Sequence, residues 1–139
     1  MPKYEGSCLC GAIKYSCASE PVFSAVCHCS ACQKATGSAF AVVVGFKKDD
    51  FTVSGDTLTT YRHSGDSGTI STRRFCSQCG SGIFAENPLR PGMVTVRGGT
   101  LNDRSALKPS AQVYWRDHQK WVEDIGNLPR HETTITPRR

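Results

Sequence analysis

A chain of 139 residues, 38% hydrophobic and 21% charged, has the length and balance of one globular domain with a core of its own. The formal charge of +5 is a weak pointer to nucleic acid, because cysteines that bind metal as thiolates would cancel much of it. The basic stretches "RHSGDSGTISTRR" and the terminal "TPRR" are short enough to be solvated surface. No apolar run approaches the roughly 18–20 residues of a membrane span. The opening "MPKYEGSCLCG" lacks a signal-peptide core, so a reducing cytoplasm is the expected setting.

Short runs between Gly, Pro, Asp and Ser punctuation predict strands along most of the chain. In order they are 11–17 "GAIKYSC", 22–27 "VFSAVC" and 38–46 "SAFAVVVGF", then 58–63 "LTTYRH" and 68–76 "GTISTRRFC". After them come 82–86 "GIFAE", 93–99 "MVTVRGG" and 112–116 "QVYWR". One helix of about two turns is predicted over 30–36 "SACQKAT", closed by Gly37 in a left-handed cap. Trp115 and Trp121 read as core or sheet-face residues. The fold class is mostly β, in one domain over 1–139.

Seven of the eight cysteines fall into three groups: "CLCG" (Cys8, Cys10), "CHCSAC" (Cys27, Cys29, Cys32) and "CSQCG" (Cys76, Cys79). The last has the form of a zinc knuckle, with Gly80 free to tighten the turn. Disulfides are the competing reading, but thiols two or three residues apart bridge only under strain. Thiolate sets select zinc over magnesium or calcium, and iron remains open. The simplest partition makes a closed structural site of Cys8, Cys10, Cys76 and Cys79, and leaves Cys27, Cys29 and Cys32 as a site with one position open. The competing partition recruits Cys17 as a further ligand; otherwise Cys17 packs as a small buried residue.

These residues resemble the glutathione-dependent formaldehyde-activating enzyme family, which also includes centromere protein V. The resemblance runs from about Gly6 to Arg130, through "GSCLCGAIKY", "CHCSACQKATGSAF", "RRFCSQCGSGIF", "VTVRGGTLND" and "KWVEDIGNLPR". It implies the β-tent fold of short antiparallel strands. It also implies a structural zinc at Cys8, Cys10, Cys76 and Cys79 and a functional zinc at Cys27, Cys29 and Cys32. The chain departs from the family where members often carry a His and this sequence has Gln112.

Three thiolates make a zinc ion a mild Lewis acid that suits sulfur better than hard oxygen. Bottom-up chemistry and resemblance therefore meet on carbon–sulfur bond making and breaking, with a small thiol such as glutathione, or its aldehyde adduct, as substrate. Cations near the open site would help such a carboxylate-bearing thiol dock. Lys34 is the candidate contact, with Arg73, Arg74 and Arg97 as further cations, although for each of the four a solvated surface charge is the plainer reading. His28, between two ligands, is a candidate proton relay whose plainer reading is a solvent-facing residue. The "TGS" run of Thr36 to Ser38 could offer N–H groups to an anion, or simply end the helix. The rival function is a non-catalytic binding or chaperone-like module, which needs only the four-cysteine site; a zinc reservoir or redox sensor is a third.

Overall fold

The computed structural model describes residues 3–65 and 68–135, so the terminal "TPRR" and part of the "RHSGDSGTISTRR" stretch lie outside the described residues. Among the described residues ten strands form two sheets. β1 (Tyr4–Ser7), β2 (Lys14–Cys17) and β5 (Phe51–Ser54) make a small antiparallel sheet in the order β1-β2-β5. The remaining strands are β3 (Phe23–Cys27), β4 (Ala41–Lys47), β6 (Leu58–Ser64), β7 (Ile70–Cys76), β8 (Gly82–Glu86), β9 (Met93–Arg97) and β10 (Ala111–Val113). They form a seven-stranded sheet in the order β10-β3-β4-β9-β8-β7-β6. The expected mostly-β architecture is therefore present. One correction applies: β10 pairs with β3 in parallel, Val113 opposite Cys27, while every other pairing is antiparallel.

The two sheets close on one core. Val44 and Phe46 of β4, Val94 and Val96 of β9, and Ile83 and Phe84 pack against Tyr15 and Cys17 of the small sheet and Ile13 just before it. Alternation along β9, with Val94 and Val96 inward and Met93, Thr95 and Arg97 less buried, is what a sheet with one covered face demands. Phe46 is fully buried, with the Tyr4 ring 5.5 Å away. The opposite face of the large sheet carries a second apolar cluster of Ala25, Cys27, Cys32, Ala41 and Val43.

The helix α1 spans Ser30–Thr36, as its sequence predicts, and Gly37 ends it at φ 65°, returning its N–H to the Gln33 carbonyl. The predicted strand over 112–116 stops early. Tyr114 turns into the left-handed region at φ 54°, and short 3-10 turns follow over Trp115–Asp117 and Lys120–Asn127. Trp115 and Trp121 accordingly lie half exposed on this segment, not in the core. Among the described residues no helix is long and apolar enough to cross a membrane.

Candidate metal centres

The four-thiol cluster sits where the two sheets meet. Cys8 and Cys10 occupy the turn between β1 and β2; Cys76 ends β7, and Cys79 lies in the link to β8. Gly11 and Gly80 turn at φ 83° and 81°, so each thiol pair folds back toward one point. All four sulfurs lie within 4.8 Å of one another, with Cys8 to Cys10 at 3.6 Å and Cys10 to Cys76 at 3.8 Å.

Each of three sulfurs has a donor from outside the cluster. The Ile13 N–H reaches Cys8 Sγ at 3.2 Å, Thr57 Oγ1 meets Cys76 Sγ at 3.2 Å, and Ser81 Oγ meets Cys79 Sγ at 3.2 Å. Such donors favour the thiolate form. The Ser81 hydroxyl and nearby backbone N–H groups hold the Cys79 thiol down to about 5, and the Thr57 hydroxyl lowers Cys76. Four converging sulfurs, three of them supported by outside donors, fit a divalent soft cation.

The three-thiol cluster is built differently. Cys27 ends β3, held between Ala41 of β4 and Val113 of β10. Cys29 is the N-cap of α1, its sulfur accepting from the Cys32 N–H at 3.3 Å. One turn further, Cys32 points back into the same space, and the three sulfurs lie within 4.8 Å of one another. Hydrogen bonds from the Cys27 and Cys29 thiols, then the charges of Arg97 and Arg73, hold the Cys32 thiol far below its ordinary value. Cys27, whose proton is shared with Cys29 and Cys32, is pushed up. Three converging sulfurs, with the Cys32 thiol held toward its thiolate form, have the donor chemistry to exchange their protons for a cation.

Cys17 belongs to neither cluster. It is buried at the end of β2, in the core between the sheets, with Ser19 Oγ 3.8 Å from its sulfur.

His28 does not face solvent. It is fully buried, its Nε2 2.9 Å from Gln112 Oε1, its Nδ1 without a partner among the described residues, and its ring edge-on to Trp115 at 5.1 Å. Gln112, the position of departure from the family pattern, thus buttresses the residue between two thiols. The segment after β10 is tied to the same place. Gln33 Nε2 donates to the His28 and Asp117 carbonyls at 2.7 and 2.9 Å, and Gln119 donates to Gln33 at 2.8 Å. Nothing in the spacing of these residues announced that network; it depends on the return of β10 to the edge beside β3.

The predicted cations separate. Lys34 is exposed, two residues along α1 from Cys32 and so on the opposite side of the helix, where it lines an open groove of about 560 Å³ with Ser30, Gln119 and Trp121. Arg74 faces away from the thiols, 3.7 Å from Glu86 and over the Phe84 ring. Arg97 comes to the cluster, with Nη1 4.0 Å from Cys32 Sγ. The Thr36–Ser38 run is used locally: Thr36 Oγ1 accepts from the Ser38 N–H at 3.2 Å as the helix ends.

A β-sheet chain carrying one four-thiol and one three-thiol cluster, each tight enough for a single cation, defines a class of cysteine-based metal-site folds. Comparison with known proteins narrows this class. A family model for the glutathione-dependent formaldehyde-activating enzymes matches residues 3–117, and the chain belongs to that family. The match ends before "KWVEDIGNLPR". A Halomonas elongata protein, provisionally named a glutathione-dependent formaldehyde-activating enzyme, is 31% identical over 125 residues, covering 86% of this chain and 79% of its own. An uncharacterised lyase of Schizosaccharomyces pombe is 30% identical over 84 residues, 60% of this chain and 58% of its own length. The crystal structure of a Rhodobacter sphaeroides protein superposes with a TM-score of 0.60 at 21% identity, over 78% of this chain and 99% of that one. At that identity the likeness speaks for the fold alone.

Proposed function

We propose that the chain is a carbon–sulfur lyase that makes or breaks the adduct between a small thiol and a carbonyl carbon at Cys27, Cys29 and Cys32. The observation that carries this reading is the unequal pair of clusters, four thiols in one and three in the other, with no further Cys, His, Asp or Glu in the second group among the described residues. Zinc suits both donor sets: Cys8, Cys10, Cys76 and Cys79 would hold a structural ion, and Cys27, Cys29 and Cys32 a second one. That second ion, when bound, would supply a soft Lewis-acidic position for a substrate sulfur.

The chain's own residues do the rest. In adduct formation the thiol gives up its proton as its sulfur bonds to the carbonyl carbon, the π pair moves to oxygen, and that oxygen takes a proton in exchange; the lyase direction reverses each step. β3 and the N-terminus of α1 fix the three sulfurs rigidly, so little reorganisation is needed when substrate arrives. His28, buried against Phe40 and Trp115 and bonded to Gln112, anchors the short loop that carries Cys27 and Cys29. Lys34, on the outer lip of the groove, would meet the far end of a glutathione-sized substrate and not its reacting atoms.

Cobalt substitution tests the reading, because a thiolate entering the cobalt site changes its charge-transfer spectrum. Glutathione should alter the spectrum of the wild type. The analogue with Ser in place of Cys should not. Equal effects of the two would mean that carboxylates alone hold the tripeptide, and no effect of either would favour the binding-module function.

A further inference from the structure

The face of the large sheet that carries the three thiols also carries two arginines with no acidic partner among the described residues. Register places them together. Arg73 lies opposite Ala85, Ala85 opposite Thr95, and Arg97 follows two residues along β9 on the same face as Thr95. The alanine leaves that row low. Arg97 crosses beside Gly82, where an added Cβ would stand 3.8 Å from its Cγ, and brings its guanidinium to Cys32.

Neither guanidinium is used up by the fold. That of Arg97 has Cys32 Sγ as its only polar contact among the described residues, at a long 4.0 Å. Arg73 spends Nε on His63 Nε2 at 2.8 Å, but its buried Nη1 has no partner among the described residues. A buried, unpaired guanidinium nitrogen is costly and calls for an acceptor. The neighbouring Arg74 also leaves its buried Nε without a partner among the described residues, but its charge and that of Lys48 are both engaged with Glu86.

Three thiolates around one divalent cation leave a net charge of −1, which repels an anionic substrate. Two guanidiniums alongside reverse that sign. Arg97 is close enough to a ligand sulfur that whatever it grips must lie within a few bonds of the substrate's own sulfur. The fork of an arginine matches a carboxylate. Resting on the function proposed above, we infer that Arg73 and Arg97 form a carboxylate pocket beside the three-thiol site, and that the preferred thiol–carbonyl adduct carries a carboxylate within a few bonds of the reacting carbon–sulfur bond. The Gly37–Lys34 groove, further out, has no part in this selection.

Mercaptoacetate and 2-mercaptoethanol, similar in size and differing in charge, provide the test. Their affinities would be measured by calorimetry on the zinc-loaded chain and on the R73Q and R97Q variants. In the wild type, mercaptoacetate should bind about tenfold tighter, the scale of one charge-assisted hydrogen-bond pair, and the preference should shrink with added salt. In either variant the preference should fall toward one while mercaptoethanol affinity stays unchanged. R97K should keep part of it, which also covers the case where one glutamine variant fails to fold. Equal affinity of the two thiols for the wild type overturns the pocket alone. A preference that survives in the variants overturns it as well, as does a parallel loss for both thiols, which would mark the arginines as structural. If neither thiol binds, the sulfur chemistry fails and takes the pocket with it.

Discussion

Replacing Cys76 with Ser should cost the zinc-loaded protein far more stability than replacing Cys29. The four-thiol cluster joins Cys10 to Cys76 across 66 residues. Closing a loop of that length removes about 4 kcal/mol of unfolded-chain entropy, on the relation used for covalent cross-links. The three-thiol cluster closes only the short segment from Cys27 to Cys32, for which the same relation yields about 2 kcal/mol. Cys29→Ser has a further advantage. Cys29 caps α1 through its side chain, and a serine hydroxyl is a better cap than a thiol, so the helix keeps its start. At about 3 °C per kcal/mol for a chain of this size, the melting temperature should fall by about 12 °C in Cys76→Ser and by about 6 °C or less in Cys29→Ser. Thermal unfolding followed by circular dichroism measures both, and lyase activity should vanish in Cys29→Ser while the fold persists. Equal losses in the two variants would refute the division into a structural and a functional site.

Freshly reduced protein should hold two zinc ions per chain, and stepwise chelation should remove one before the fold is lost; metal analysis alongside dichroism checks this. Gly80→Ala should destabilise by about 1–2 kcal/mol, since a Cβ there meets no atom within 4 Å and the whole cost is the left-handed backbone at φ 81°, read from urea unfolding. The Glu123 carboxylate beside His118 raises the imidazole above its ordinary value. The stabilisation it brings is therefore complete below the ordinary histidine value and is lost as pH rises through the raised one. Trp115, stacked on His118 at 3.7 Å, reports the titration by fluorescence, and Glu123→Gln should move the midpoint down; an unchanged midpoint would contradict the assignment.

The sequence spacing located α1 to the residue, because its thiols and Gly37 bound it on both sides. It missed β1 and β5, which are four-residue edge strands with little periodicity to read; they exist because β2 lies between them and the core lies beneath. The grouping of cysteines within each short motif was legible, as local turns dictate it. Which cation reaches the thiols was not. Lys34 is nearest in sequence and faces away, whereas Arg97 is 65 residues from Cys32 and arrives through strand register. His28 reads as solvent-facing because it lies between two cysteines in a short loop. Its burial comes from Gln112, Phe40 and Trp115, which only the tertiary fold assembles. Tyr114 explains the failed strand over 112–116, since no local pattern marks a tyrosine at positive φ.

The parallel pairing of β10 with β3 bears on the order in which the chain is assembled. His28 waits for Gln112, 84 residues later, and antiparallel neighbours that form from nearby hairpins cannot stand in for it. During synthesis, at 5–20 residues per second, that interval lasts some seconds. Throughout it Cys27 lacks the β10 strand that later lies beside it, and an oxidant that reaches the three sulfurs then can join two of them before the last strand docks. The newborn chain, rather than the finished protein, is where this thiol centre is most easily lost.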